Sequence, residues 1–244
     1  MIEASSLRKG FGNVTAVDDV SFSAADGVVT GLLGSNGAGK TTTLRMLTTL
    51  LAPDRGEARI DGLNVAQNPR EARRRIGILP DARGLYARLT AREHIEYAGA
   101  LHGISRRQLS PRVDALIDLL EMGDIVNRRA EGFSQGERVK VALARALMHE
   151  PRNVMLDEPT NGLDVMSTRA VRELIRRLRG EGKCVLLSSH VMHEVSALCD
   201  RIVIIAGGRV LANGSPREIC AAAGKDNLEE AFVSVIRSSQ GLVQ

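Results

Sequence analysis

The sequence contains few aromatic residues and few cysteines. Its 244 residues include four Phe, two Tyr and no Trp, so aromatics make up 2% of the chain. Because single-stranded nucleic-acid platforms and RNA-binding sheets stack bases on aromatic rings, this composition argues against both, and we expect no nucleic-acid partner. The three cysteines have neither CxxC spacing nor a paired His cluster. They therefore indicate neither a zinc site nor a disulfide framework, and they fit reduced cytosolic thiols.

Long apolar runs are also missing. No stretch approaches the roughly 18 consecutive apolar residues that a membrane span needs, and the start, MIEASSLRKGFG, has no apolar signal-peptide core. We therefore expect a chain that neither spans a membrane nor leaves the cytosol by itself. Apolar residues at 43% and charged residues at 25% are typical of a globular protein, and the net charge of +4 is a weak hint of anionic ligands.

Short apolar runs alternate with helix-like stretches along the chain. The runs at 28–33, 76–79, 153–157, 184–189 and 202–206 lack polar alternation, which is typical of strands buried on both faces of a parallel sheet. The alternation predicts an α/β domain. The sequence pattern predicts helices from about Thr90 to Glu150 and an amphipathic helix from Pro216 to near Arg237.

A glycine-rich segment matches the phosphate-loop pattern GxxxxGK[ST] between a buried strand and a helix. The expected nucleotide-binding residues are Gly34, Ser35, Asn36, Gly37, Ala38, Gly39, Lys40, Thr41 and Thr42. Glycines let the backbone N–H groups and the helix N-terminus point at a phosphate, Lys40 adds a cation for the β- and γ-phosphates, and the Thr41 hydroxyl is suited to Mg²⁺. The alternative is a glycine turn that only joins strand to helix.

Two carboxylates follow the apolar strand at 153–157. Asp157 ends that strand, where ligands bind in open parallel sheets, so it is expected to hold Mg²⁺, and Glu158 could polarise an attacking water. Without the phosphate loop, both could equally be solvated loop acids. Together the two motifs predict an NTPase, and ATP is favoured over GTP because no NKxD guanine motif is present.

The segment FSQGE, residues 133–137, precedes another amphipathic helix. Read locally, Ser134 and Glu137 form a capping box, in which each side chain accepts a hydrogen bond from the other residue's backbone N–H. That interpretation leaves Gly136 unexplained, because a glycine weakens the first turn of a helix.

The order of these motifs resembles the ATP-binding subunit of ABC transporters. The resemblance rests on the phosphate loop, FSQGE, MLDEP, NGLD and SSH, and it covers about Met1 to Gly214. It implies an α/β fold with a P-loop NTPase sheet core, an N-terminal β subdomain and a helical insertion. The implied division is a cassette over 1–214, with the helical subdomain at about 88–150, followed by a C-terminal helical tail over 215–244.

The resemblance also implies roles for single residues. Phe11 would stack on adenine, although a core Phe is the alternative, and His190 would sense the γ-phosphate, although alone it would be an ordinary loop histidine. Glu158 would be the catalytic carboxylate, with His190 and Lys40 as the other catalytic residues. The signature residues Ser134, Gly136 and Glu137 would contact the γ-phosphate held by the opposite subunit, and Asp164 would lie at the subunit interface.

Three positions depart from the family's usual motifs. Asp81 stands where the family usually has Gln, a position that joins the Mg²⁺ and water network and links the site to the membrane partner. Its carboxylate still accepts hydrogen bonds from metal-bound water but adds negative charge beside a triphosphate. Gln135 stands where the signature commonly has Gly, and Glu137 where it commonly has Gln. Both leave the helix N-terminus intact, so we do not read them as inactivating.

The resemblance further implies partners and a place in the cell. A single copy of the motifs implies a homodimer with bound ATP, and the permease would be a separate chain at the cytoplasmic face of the cell membrane. LPDARGLYARLTARE, SSHVMHEV and DNLEEAF look most like the exporter branch, which includes sodium-extruding and drug-type ATPases. The alternatives are a soluble ABC ATPase acting on DNA or ribosomes and a regulatory module that binds ATP without hydrolysing it.

Overall fold

A computed structural model of the chain describes residues 1–81, 84–239 and 241. The strands within this part are, in chain order, β1 (Ile2–Phe11), β2 (Val14–Ala24), β3 (Val29–Leu33), β4 (Arg55–Ile60), β5 (Leu63–Asn64), β6 (Ile76–Leu79), β7 (Asn153–Asp157), β8 (Cys184–Ser189), β9 (Arg201–Ala206) and β10 (Arg209–Gly214). The helices are α1 (Lys40–Leu47), α2 (Pro69–Arg74), α3 (Ala91–Leu101), α4 (Arg106–Leu119), α5 (Gln135–Leu147), α6 (Val165–Gly180), α7 (Met192–Leu198), α8 (Pro216–Ala223) and α9 (Leu228–Ser239).

A six-stranded sheet in the order β10-β9-β3-β8-β7-β6 forms the centre of the fold. Its strands from β9 to β6 pair in parallel, and only β10 runs antiparallel, as the second strand of a hairpin with β9. Every residue of β3, β7 and β8 is buried, as the unbroken apolar runs predicted. The carboxyl ends of these three parallel strands therefore meet at one edge of the sheet.

A second, antiparallel sheet in the order β2-β1-β4-β5 covers one face of the molecule. Apolar side chains of this sheet, such as Ile2, Val20 and Ile60, join one buried cluster with α1 and with one face of the central sheet. This packing fixes the position of β1, whose last residue is Phe11, relative to the loop before α1.

The helical block between Thr90 and Glu150 contains α3, α4 and α5, and its buried residues share a core with α6 and the other face of the central sheet. Helices α3 and α5 both begin with a capping box, formed by Thr90 with Glu93 and by Ser134 with Glu137. The second of these confirms the local interpretation of FSQGE. No helix of the described residues is long and apolar enough to cross a membrane.

The tail differs from the single helix that the sequence predicted. Two helices, α8 and α9, are separated at Gly224, which has a left-handed backbone with φ of 63° and accounts for the end of α8. Leu228 and Ala231 of α9 are buried in the core that also contains Val195 and Leu198 of α7. Residues 240 and 242–244 of the predicted tail lie outside the described residues.

Candidate active site

The glycine-rich loop connects β3 to α1 and turns sharply at two of its glycines. Gly37 and Gly39 have φ of 80° and 105°, a region that side chains disfavour. A Cβ on Gly39 would also lie 2.5 Å from the Ala16 carbonyl oxygen, so only glycine fits there. Lys40, which is buried, donates from Nζ to the carbonyl oxygens of Gly34 at 2.8 Å and Ser35 at 3.2 Å. These two hydrogen bonds fix the position of the Lys40 ammonium group next to the backbone of the loop.

Asp157 lies at the carboxyl end of β7 and faces the start of α1. Its Oδ1 accepts hydrogen bonds from Thr41 Oγ1 at 3.2 Å and from Ser188 Oγ at 2.5 Å. Burial raises the pKa of Asp157 above its usual value, and the negative charges of Asp81 and Glu158 add to this effect. A bound cation would offset the cost of keeping this carboxylate charged.

Glu158 contacts both Lys40 and His190. Its Oε1 is 3.5 Å from Lys40 Nζ, and its Oε2 accepts from His190 Nδ1 at 2.9 Å. Because a carboxylate only accepts, the proton of this hydrogen bond belongs to Nδ1, which leaves Nε2 of the imidazole for another partner. The Glu158 backbone has φ of 48°, and its N–H donates to Ser188 Oγ at 3.0 Å.

A cavity of about 520 Å³ brings most of the predicted nucleotide residues together. Its walls include Phe11, Ala16, Asn36, Gly37, Ala38, Gly39, Lys40, Thr41, Thr42, Asp81, Glu158, Asn161 and His190. Phe11 is 51% exposed at one end of this cavity, and Lys9 Nζ lies 5.9 Å from its ring centre. The exposure excludes the alternative of a core phenylalanine.

The signature residues lie away from this cavity. Ser134, Gly136 and Glu137 form the start of α5, where Glu137 Oε2 accepts from the Ser134 N–H at 2.7 Å and Glu137 Oε1 accepts from Arg128 at 2.7 Å. None of the three is among the residues that line the phosphate-loop cavity. Within the described residues, the signature segment is therefore not part of the cavity formed by the phosphate loop of its own chain.

Two features were missed by the sequence reasoning. Ser188 bridges Asp157 and the Glu158 backbone, although only its place in the SSH run after a buried strand signalled it. Gly136 is buried against α6, and a Cβ there would collide with the side chain of Ser167. This close approach supplies a structural reason for the glycine that the capping box could not explain.

Comparison with known proteins places these motifs in a family. The family model described as ABC transporter matches residues 17–161, more than half of the chain. The chain belongs to the ABC transporter family. It is an ABC-type ATPase cassette, which confirms the predicted α/β fold with a P-loop NTPase sheet core.

Curated relatives of this cassette are bacterial ATP-binding proteins. The ABC transporter ATP-binding protein NatA of Bacillus subtilis is 44% identical over 222 residues, which are 91% of this chain and 90% of NatA. The Nod factor export ATP-binding protein I of Paraburkholderia xenovorans is 38% identical, over 91% of this chain and 73% of the relative. The daunorubicin resistance ATP-binding protein DrrA3 of Streptomyces coeruleorubidus is 36% identical, over 93% and 72%.

Solved structures share the fold of the cassette. The structure of an ATP-binding subunit of an ABC transporter superposes with a TM-score of 0.89 at 31% identity, over 97% of this chain and 99% of that one. A dimeric ATP-binding cassette in a post-hydrolysis state, bound to ADP and Pi, superposes with a TM-score of 0.81 at 25% identity, over 88% of this chain and 98% of that one.

Proposed function

We propose that this ABC cassette hydrolyses Mg·ATP as a homodimer and thereby powers export through a separate membrane permease. The observation that carries the catalytic part is the set of contacts around Glu158, whose carboxylate is 3.5 Å from Lys40 and 2.9 Å from His190 at the phosphate-loop cavity. Glu158 is the proposed base that orients water, and Lys40 and His190 are the proposed groups that stabilise charge on the transferred phosphoryl group.

ATP is proposed to lie along the cavity, with its phosphates at the loop and its adenine on Phe11. The loop from Gly34 to Thr42 offers backbone N–H groups and the start of α1, where unpaired amides and the helix dipole favour an anion. The exposed ring of Phe11 is suited to stacking because its face is not covered by the core.

The residues around Asp157 fit a magnesium ion. Thr41 and Asp157 present a hydroxyl and a carboxylate oxygen 3.2 Å apart, Asp81 lines the same cavity, and hard oxygen donors are what Mg²⁺ prefers. When bound, Mg²⁺ supplies neutralising charge for the phosphates. Ser188 fixes the orientation of Asp157 through its hydroxyl, so the carboxylate is held ready at the end of β7.

The dimer is proposed because the signature residues are separated from the phosphate loop of their own chain. Ser134, Gly136 and Glu137 would contact the γ-phosphate in the opposite subunit, and Asp164, which caps α6 by accepting from the Ser167 N–H at 2.9 Å, would lie at the interface. We assign the cassette to 1–214, with a helical subdomain at about 88–150, and the tail to 215–244. The dimeric arrangement of a related cassette supports this proposal.

The permease is proposed to dock beside Asp81, on a groove between the central sheet and the helical block. The groove has a volume of about 260 Å³, and its lining includes Ile78, Pro80, Tyr97, Leu101 and Arg145. Leu101 is 70% exposed and Tyr97 is 46% exposed, so an apolar surface is offered to a partner. Docking here would place the cassette at the cytoplasmic face of the cell membrane.

Sodium is the proposed exported substrate. The support is the similarity of LPDARGLYARLTARE to sodium-exporter subunits together with the 44% identity to NatA. A soluble ATPase acting on DNA or ribosomes is not favoured, because these relatives are export and resistance ATP-binding proteins. Accumulation of radioactive sodium in inside-out vesicles that contain the cassette and its co-purified permease tests the substrate. Absence of ATP-dependent uptake in vesicles with an active ATPase would contradict sodium export.

Replacement of the catalytic carboxylate tests the enzymatic proposal. Glu158→Gln should keep ATP binding, abolish steady-state phosphate release and accumulate ATP-bound dimers, because the amide cannot accept a proton from water. Lys40→Ala should weaken binding of labelled ATP, since the loop loses its cation. Glu229→Gln, an exposed acid on α9, serves as the matched control and should behave as wild type. Normal phosphate release by Glu158→Gln would refute the assignment of the base.

A further inference from the structure

The segments that carry Glu158 and His190 are joined by a second hydrogen bond, in addition to the one between these two residues. Thr160 follows Glu158 closely, and Glu194 follows His190 in the first turn of α7. The Thr160 hydroxyl donates a short hydrogen bond to Glu194 Oε2. The segment after β7 and the segment that enters α7 are thus connected twice. Glu158 and His190 join them at the cavity, and Thr160 joins them to the buried Glu194.

Helix α6 anchors this second link. Arg172 Nη2 donates to Glu194 Oε1 at 3.4 Å, and Glu194 is 8% exposed. Arg172 Nε is buried and has no hydrogen-bond partner among the described residues, so the guanidinium is committed to Glu194 by one nitrogen only. Glu194 is buried, whereas the Arg172 side chain is 27% exposed and reaches it only at 3.4 Å, so desolvation of the carboxylate offsets much of the attraction and the pair adds little stability. A role in holding geometry explains the pair better.

We propose that Glu194 is a positioning residue for ATP hydrolysis. It ties Thr160 to α7, so that the proposed base Glu158 and the proposed γ-phosphate sensor His190 keep their relative position while the phosphates and water change around them. Arg172 holds Glu194 in place from α6. The inference rests on the proposed roles of Glu158 and His190.

The Thr160–Glu194 link should affect the rate of ATP hydrolysis but not the affinity for ATP. Among the described residues, the Glu194 side chain pairs with Thr160 and Arg172 and has no hydrogen bond to the phosphate loop, Phe11 or the Thr41–Asp157 pair, so we expect ATP affinity to be independent of the link. Hydrolysis depends on it, because a displacement of about 1 Å of a reacting group can cost about 100-fold in rate. Loss of the link should therefore lower kcat by about 10-fold to 100-fold and leave the KM for ATP within about twofold of wild type.

Paired substitutions in the full-length chain test this expectation. Thr160→Val removes the hydroxyl with almost no change of shape, whereas Thr160→Ser keeps it. Glu194→Gln keeps the size of the side chain but removes its charge toward Arg172. We expect low kcat with normal ATP affinity for Thr160→Val and Glu194→Gln, and near wild-type kcat for Thr160→Ser. The double variant should lose no more than the worse single variant, because both changes interrupt the same chain of contacts from Thr160 through Glu194 to Arg172.

Three outcomes decide the matter. A wild-type kcat for Thr160→Val, accompanied by a lower melting temperature, would show that the link only stabilises the fold and would overturn the proposal. An equal loss of kcat in Thr160→Ser would also overturn it, because the hydroxyl would then not be responsible. Glu158→Gln is measured in parallel: if that variant hydrolyses ATP normally, the proposed function fails, whereas if it is inactive and Thr160→Val is normal, only the positioning role fails.

Discussion

Replacing Gly136 by alanine tests whether the signature glycine is required by the fold of a single chain. A Cβ at this position would lie closer to Ser167 Oγ than any real van der Waals contact, and 3.1 Å from Ser167 Cβ. Turning the Ser167 hydroxyl aside would break its hydrogen bond to Asp164 Oδ2 at 2.8 Å, and the Ser167 backbone is itself held by the bond from its N–H to Asp164 Oδ1 at 2.9 Å. The start of α6 therefore opposes the added methyl group.

Two effects of opposite sign determine the size of the change. Alanine is favoured over glycine in a helix interior by about 1 kcal/mol, although less in the first turn, where Gly136 lies. Overpacking a buried contact costs about 1–3 kcal/mol. We expect Gly136→Ala to lower the free energy of unfolding by about 1 kcal/mol, which corresponds to about 2–4 °C in melting temperature for a chain of this size.

The matched variants are chosen so that the steric cause can be isolated. Ser167→Ala removes the colliding oxygen, so the double variant Gly136→Ala/Ser167→Ala should recover most of the loss, with a coupling energy of about 1 kcal/mol. Gly180→Ala, at the end of α6 with open space where its Cβ would lie, should be neutral or stabilising. Urea unfolding of the wild type and of these four variants gives these values. An unchanged or raised stability of Gly136→Ala would refute the reasoning.

Three further predictions address other parts of the molecule. Phe11→Ala should weaken ATP binding by about 1–3 kcal/mol without lowering the melting temperature, as equilibrium binding can show. Burial lowers the pKa of His149 to about 4, so between pH 6.5 and 4 the unfolded chain binds a proton that the folded chain does not. The free energy of unfolding should therefore fall as the pH drops below about 6.5, and urea unfolding of His149→Gln should show a weaker pH dependence. Leu101→Asp in the proposed docking groove should prevent co-purification with the permease, whereas Leu50→Asp, equally exposed outside the groove, should not.

The sequence was informative where function depends on a short continuous segment. The phosphate loop and the capping box of α5 are local motifs, and each lies within a few residues of a helix start, so its pattern predicted its geometry. The unbroken apolar runs predicted the buried strands for the same reason. The break between α8 and α9 at Gly224 was also legible in principle, because glycine commonly follows the last turn of a helix.

Contacts between distant segments could not be predicted in this way. Ser188 reaches Asp157 only because β7 and β8 are neighbours in the sheet. The collision expected at Gly136 depends on how α5 crosses the start of α6, which no local pattern encodes. These contacts depend on tertiary packing. A sequence motif can therefore predict the residues of a site without predicting the residues that position those side chains.

Helix α6 contacts both the signature segment and the residue that links Thr160 to α7. Ser167 in its first turn occupies the space beside Gly136, and Arg172, about 7.5 Å further along at 1.5 Å per residue, pairs with Glu194, the proposed positioning residue. We expect a shift of α5 against Ser167 to displace Arg172 as well, and through Glu194 to displace Thr160. If the packing of α5 on α6 affects the proposed hydrolytic geometry as well as stability, Gly136→Ala should lower the ATPase rate together with the melting temperature, and Gly136→Ala/Ser167→Ala should recover both.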